Sequence, residues 1–422
     1  MSDNEPQSIK VRIEDLRVGH FVDLECSWMD HPFVFSKFLI QSPAEIAAIR
    51  AMGRTEVTVL PGRSKTVEAA PAAAPAAVPT EGTRQEMQNR KQAMMDRASD
   101  FRDARQQAAA KYQETIRKLT TFSREVRTAP ANAVQTAGDI VGGMVEDFAR
   151  DSNVLVNLVN LSGEGFSLNN HALNVAVLSL FLGRYMQLKP GELTALGIGA
   201  LIHDIGKIEI PSQIIYKRQP LNAAEEGLMR THATIGSRLA QKIGGLPAEA
   251  VAIIEQHHEL MDGSGYPRGV QGRWISMMPR IVAIANIYDN LCNPSDPAKG
   301  LTPRDAMAQL FQVYAGKLDK DLVSAFIKVM GVYPPGTVVQ LNDENIGLVV
   351  SVDPNYLLKP RVILYNPDIP REQALMVDLL DRPDLEIKAA LKPSEFPPRV
   401  VEYLGMPERL GYFYQALKGS AS

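Results

Sequence analysis

Two cysteines in 422 residues exclude a disulfide framework. Cys26 and Cys292 lie far apart without metal-type spacing, so they read as reduced thiols. Long apolar runs are also missing. The longest, ALNVAVLSLFL at 172–182, is too short to span a bilayer and reads as a core helix. The first residues, MSDNEPQSIKVRIEDL, hold no apolar segment, so no secretory signal and no membrane span are expected, and the location is read as cytoplasmic. Charge of one sign is absent: the net charge is −3, which excludes a general affinity for DNA or an anionic membrane surface. Hydrophobic residues make up 45% and charged residues 22%, the balance of a globular protein. Histidine is scarce at seven, and its placement carries the information.

The chain divides by composition. Residues 8–62 read as a small α+β domain, with alternating strands broken at Gly19 and at Asp30–Pro32. Within it, SPAEIAAIRAMG predicts a short helix, with Ser42 as N-cap, Pro43 in the first turn and Gly53 at the end. Residues 63–82 are an Ala/Pro linker, extended because repeated proline blocks a helix. Residues 83–135 are a long polar helix, suited either to a solvated spacer or to pairing with a neighbour or a second copy. From 136 to 332 apolar residues recur at steps of three and four, so the pattern is helical throughout. Residues 333–422 are β-rich at first, around Gly, Asn and Asp turns, with a tail that is helical in part. The fold class is mainly α: a helical bundle with a small α+β unit before it and a β-rich appendage after it.

Five of the seven histidines fall in the helical region: His171, His203, His232, His257 and His258. Each has apolar residues at helical steps, so each is expected on the inward face of a helix. One such histidine is usually a satisfied core residue. Five of them with an adjacent aspartate, Asp204, on four helices point to a metal site, because neutral imidazole and carboxylate are metal ligands. Asp204 can bridge two ions, and His257–His258 can feed two. These ligand types suit Fe, Mn or Zn alike. Lys207, one turn after His203, either holds a phosphate oxygen or is a surface lysine. Tyr266, on the glycine-rich stretch HHELMDGSGYPRG (257–269), either stacks on a base or plugs a loop.

HDIGK (203–207) followed by HHELMDGSGYPRG resembles the HD-GYP family, the bacterial HD-domain phosphohydrolases that hydrolyse cyclic di-GMP. The likeness runs over about 160–335. The N-terminal unit, with LRVGHFVDL and MGRTEVTVL, resembles the small domain of unknown function often fused ahead of that domain. The resemblance implies an HD-type helical bundle and a phosphodiesterase using metal-activated water, giving pGpG and then GMP. It implies two divalent ions, Fe or Mn ahead of Zn, on His171, His203, Asp204, His232, His257, His258 and Asn286. Asp204 and Lys207 would be catalytic. Lys207, Gly265, Tyr266 and Pro267 would hold substrate. Diguanylate cyclases and other signalling proteins are implied partners, and a homodimer is allowed.

The chain departs from the family in three places. Asn286, in ANIYDN, stands where the family has an aspartate ligand, and Asp289 matches its second aspartate. Ser295 stands where the family has an arginine, with Lys299 as a partial substitute. Ser167 stands where members with a third ion have glutamate, so two ions are the most expected. These departures set up two alternatives: a degenerate domain that binds cyclic di-GMP or a protein without turnover, and an HD-type enzyme for another phosphoester.

Overall fold

The computed structural model describes residues 8–26, 30–33, 35–65, 81–150, 154–160 and 167–416. The expected Ala/Pro linker falls mostly on 66–80, outside the described residues. The N-terminal unit comprises β1 (Ile9–Arg12), β2 (Phe21–Asp23), β3 (Lys37–Leu39), helix α1 (Pro43–Arg50) and β4 (Glu56–Val59). Its strands form one antiparallel sheet in the order β1-β4-β2-β3. Val22, Leu24, Ile40, Ile46, Ile49, Val57 and Val59 close a core of its own. Ser42 caps α1: its hydroxyl accepts from Glu45 N, and the Glu45 carboxylate accepts from Ser42 N.

Helix α2 (Glu81–Thr128) is followed at once by α3 (Pro130–Arg150), with Pro130 opening the new helix. The single helix expected over 83–135 is therefore broken at Ala129. Helix α2 is more than a solvated spacer. A stripe of Phe101, Ala108, Tyr112, Leu119, Phe122 and Val126 is buried in the main core. The remainder of the helix is polar, and its charged residues conceal a narrow apolar seam.

The helical domain consists of α4 (Leu168–Tyr185), α5 (Pro190–Leu201), α6 (Ser212–Ile215), α7 (Ala223–Arg230), α8 (His232–Ile243), α9 (Ala248–Gln256), α10 (Met277–Cys292), α11 (Pro303–Gln312) and α12 (Lys320–Met330). Helix α4 is buried from Asn170 to Gly183, because α5, α10, α12 and α2 pack around it. A helix that is apolar on all sides belongs at such a centre. Ser167 is the N-cap of α4, with Asn170 completing the box.

The helical reading of 136–332 fails at one place. Residues Val154–Asn160, VLVNLVN, form strand β5. The β-rich appendage contributes β6 (Val338–Leu341), β7 (Ile346–Val352), β8 (Arg361–Leu364), β9 (Met376–Asp378), β10 (Ile387–Leu391), helix α13 (Pro398–Leu404) and β11 (Leu410–Ala416). The sheet runs β10-β6-β7-β5-β11, with β8 on β7 and β9 on β8. β5 pairs along its whole length with β11, from Leu410 opposite Asn160 to Ala416 opposite Val154. The appendage is therefore woven into the helical domain, and its last described element is a strand. Among the described residues no helix is long and apolar enough to cross a membrane.

Candidate metal centre

Six of the expected ligands converge. His171, His203 and Asp204 form one group of ligand atoms, and Asp204, His232, His257 and His258 form a second. Asp204 belongs to both. Its Oδ2 lies 3.4 Å from His203 Nε2 and 3.7 Å from His171 Nε2. Its Oδ1 lies 3.2 Å from His232 Nε2 and 3.8 Å from His257 Nε2.

The histidines are expected on the inward faces of helices, and only His171 lies in the body of one. His203 and Asp204 follow the end of α5, His232 opens α8, and His257 caps α9 with His258 just beyond. The reason is local. The last carbonyls of a helix lack intrahelical donors. His203 Nδ1 donates to Ala200 O at 2.7 Å, His232 Nδ1 to Met229 O at 2.5 Å, and His257 Nδ1 to Ile254 O at 3.0 Å. Each imidazole satisfies the carbonyl three residues before it. His171 is held differently, its Nδ1 on Asp289 Oδ2 at 2.6 Å.

These bonds fix the tautomers. A carbonyl only accepts, so Nδ1 carries the proton and Nε2 presents a lone pair. His232 Nε2 and His257 Nε2 then face each other at 3.3 Å as two acceptors. His171 Nε2, His203 Nε2 and Asp204 Oδ1 are buried without a hydrogen-bond partner. Buried acceptors aimed at one another are costly unless a cation lies among them. The donor set fits divalent metal.

Charge agrees with this. Burial pushes His203 down, and burial with repulsion from neighbouring imidazoles pushes His257 and His258 well below the usual histidine value. They are neutral at pH 7 and free to ligate. Burial alone would raise Asp204. The Lys207 ammonium outweighs it and holds the carboxyl well below the carboxylate range. Lys207 Nζ sits 2.5 Å from Asp204 Oδ2 and is part of the site rather than a surface lysine.

Tyr266 stacks on His258 with centroids 4.4 Å apart and planes at 19°, and the Arg230 guanidinium lies 5.2 Å from its ring. Tyr266 N donates to His258 O at 3.1 Å, and Pro267 follows through a cis peptide. Gly265 is needed for close approach: a Cβ there would fall 2.4 Å from both His258 O and Leu260 N. Asn286 is buried on α10, one turn before Asp289, and its Oδ1 accepts from Asn290 Nδ2 at 2.7 Å. Lys299 is exposed and pairs with Asp296 at 3.7 Å.

Several residues escape the reading of the sequence. Glu259 is buried, and its two oxygens accept from Arg268 N at 2.7 Å and Val270 N at 3.0 Å, pinning the loop that carries Gly265–Pro267. Its only signal is its place directly after His258. Asn174 and Asn293 both donate to Asp289 Oδ1, at 2.8 and 2.9 Å. A carboxamide on the apolar face of α4 was the available sign. Arg409, from the appendage, donates to the carbonyls of Pro294 and Ser295, the place where the resemblance expects an arginine. Glu259→Ala is expected to cost about 3–6 kcal/mol, since two hydrogen bonds to a charged group are lost and each contributes roughly 1.5–3. A denaturant titration checks it, and an unchanged midpoint would show that the loop is held otherwise.

An HD domain matches residues 153–322, and a domain of unknown function, DUF3391, matches residues 8–137. The chain carries an HD domain, and its curated relatives are of the HD-GYP type. The DUF3391 match takes in α2 as well as the N-terminal sheet. A cyclic di-GMP phosphodiesterase of Pseudomonas aeruginosa is 29% identical to this chain over 363 residues, 84% of each. A 3′3′-cGAMP-specific phosphodiesterase of Vibrio cholerae is 30% identical over 186 residues, 44% of this chain and 42% of that one. Among solved structures, an HDG"Y"P protein of Bdellovibrio bacteriovorus is 15% identical, with a TM-score of 0.45, and covers 76% of this chain and 98% of that one. The HD-type helical fold with flanking β units, expected from the sequence, is borne out.

Proposed function

We propose that this chain is a phosphodiesterase that hydrolyses cyclic di-GMP, opening the ring to pGpG and, on a second cleavage, releasing GMP. The single observation that carries the reading is the pair of ligand groups sharing Asp204. The name of the Pseudomonas relative supports the substrate. In this reading two divalent ions, Fe or Mn ahead of Zn, are held by His171, His203 and Asp204 on one side and by Asp204, His232, His257 and His258 on the other. Such a pair supplies an activated water and polarises the phosphoryl oxygens. The protein's own part is to hold Asp204 ionised, keep four Nε2 lone pairs inward, and place the Lys207 ammonium where negative charge grows on phosphorus. Gly265, Tyr266 and Pro267 shape the loop against which the substrate rests. Arg409 carries positive charge to the end of α10 from a different segment than the family uses.

Asn286 is the weak point of the carried-over ligand set. Asn286→Asp is expected to tighten metal binding by about tenfold, because ligand charge governs affinity at oxygen sites. Metal content and rate both unchanged would show that this position is no ligand. The substrate is tested by incubating the purified protein with cyclic di-GMP and with 3′3′-cGAMP and resolving the linear products. Faster opening of cyclic di-GMP supports the proposal. Preference for 3′3′-cGAMP, or tight binding of cyclic di-GMP without any opening in a metal-loaded sample, overturns it.

A further inference from the structure

We propose that Asn174 is a positioning residue for the metal site, the point at which the C-terminal strand and the long N-terminal helix fix the aim of His171. The proposal rests on the two-ion reading above.

Asn174 lies one turn after His171 on α4 and is fully buried at 0% exposure. Its Nδ2 donates to Asp289 Oδ1 at 2.8 Å and to Leu410 O at 2.9 Å. Its Oδ1 accepts from Tyr412 N at 3.0 Å and from Tyr112 Oη at 3.4 Å. That is the full capacity of a carboxamide, two donors and two lone pairs. Four elements meet on it: α4 itself, α10 through Asp289, β11 through Leu410 and Tyr412, and α2 through Tyr112.

Asn293 repeats half of the pattern. Its Nδ2 donates to Asp289 Oδ1 and to Leu410 O, and its Oδ1 accepts from Leu410 N at 2.9 Å. Asp289 Oδ1 is thus held by two amides, and Oδ2 is left to His171 Nδ1 at 2.6 Å. A carboxylate fixed in this way sets both the tautomer and the ring plane of a ligand histidine. The neighbours of Asn174 on α4, including Leu173, Val175 and Leu178, are buried apolar residues that pack the helix without it. An apolar residue would fill this place with no polar group to satisfy. The amide's cost is met only when β11 and α2 are docked, so docking those elements and aiming His171 are one event.

The test is Mn²⁺ titration of the metal-stripped full-length protein by calorimetry, with the melting curve of each variant. Wild type is expected to show two binding events, one of which is lost in His171→Ala. Asn174→Ala should weaken that same event by about 10–100-fold, the usual effect of removing an outer support, and leave the other event at its wild-type affinity. Tyr112→Phe, which removes one hydroxyl and no packing volume, should move the same event in the same direction by a smaller factor. A folded Asn174→Ala in which neither event moves, or both weaken equally, overturns the proposal. If that variant does not fold, Tyr112→Phe with both events at wild-type affinity overturns it. A wild type that takes up no Mn²⁺ removes the two-ion reading itself.

Discussion

Replacing His203 and Asp204 together with alanine is expected to lower cyclic di-GMP turnover by at least about 10³-fold, the scale of losing a major electrostatic contributor to a transition state, with helical content unchanged. Asp204 is the one residue in both ligand groups among the described residues, and its two oxygens face four imidazoles. Its removal takes an anion from each group at once and leaves mutually facing acceptors with nothing to organise a cation. His203 removal takes a second donor from the first group. The helical framework depends on these two residues only through the His203 Nδ1 bond to Ala200 O at the end of α5. Helix α5 ends at Leu201, before both, and its packing against α4, α9 and α3 does not involve them. Circular dichroism and metal analysis on the variant separate the outcomes. Retained turnover in a metal-poor, folded double variant would end the hydrolase reading.

Gly206→Ala is expected to carry the second-largest effect, although glycine has no chemistry. A Cβ at 206 would lie 2.0 Å from His232 O and 2.6 Å from Gly236 N, both backbone atoms of α8. Neither can turn aside as a side chain would. The segment 205–209 and α8 must separate, and α8 begins with the ligand His232. Overpacking of this kind costs about 3 kcal/mol. The same shift pulls His232 Nε2 away from Asp204 Oδ1, so metal affinity should fall along with stability. A urea titration and Mn²⁺ binding read the two losses. A wild-type midpoint together with wild-type affinity would show that the contact relaxes without consequence. The glycine in HDIGK is thereby explained by the close approach of two backbones.

The ligands were legible because histidine is rare in this chain and adjacent charged groups in an apolar run demand a reason. Their helix positions were not. The apolar pattern ALGIGALIHDIGK continues past Leu201, while the helix stops there and His203 turns back onto Ala200 O. That choice depends on which carbonyls the end of a helix leaves unsatisfied, and residue spacing does not record it. Strand β5 was hidden for another reason. VLVNLVN is apolar enough for a core helix, and its partner, LGYFYQA, lies at the far end of the chain. Strand preference of this kind is decided by pairing and burial more than by composition. Asn174 shows the same limit at one residue. On the helical wheel it is a polar blemish beside His171, and only β11 and Tyr112 reveal its four partners.

Bound metal and turnover followed on one sample test the central claim most directly. The protein is stripped of metal under anaerobic conditions, assayed with cyclic di-GMP, then titrated with Mn²⁺ or Fe²⁺ while metal per chain and linear product are measured together. The account predicts no turnover in the stripped protein and a rate that rises to a plateau as the second equivalent binds. Turnover that survives complete removal of metal, or a fully loaded, folded protein that opens no cyclic di-GMP, would contradict it.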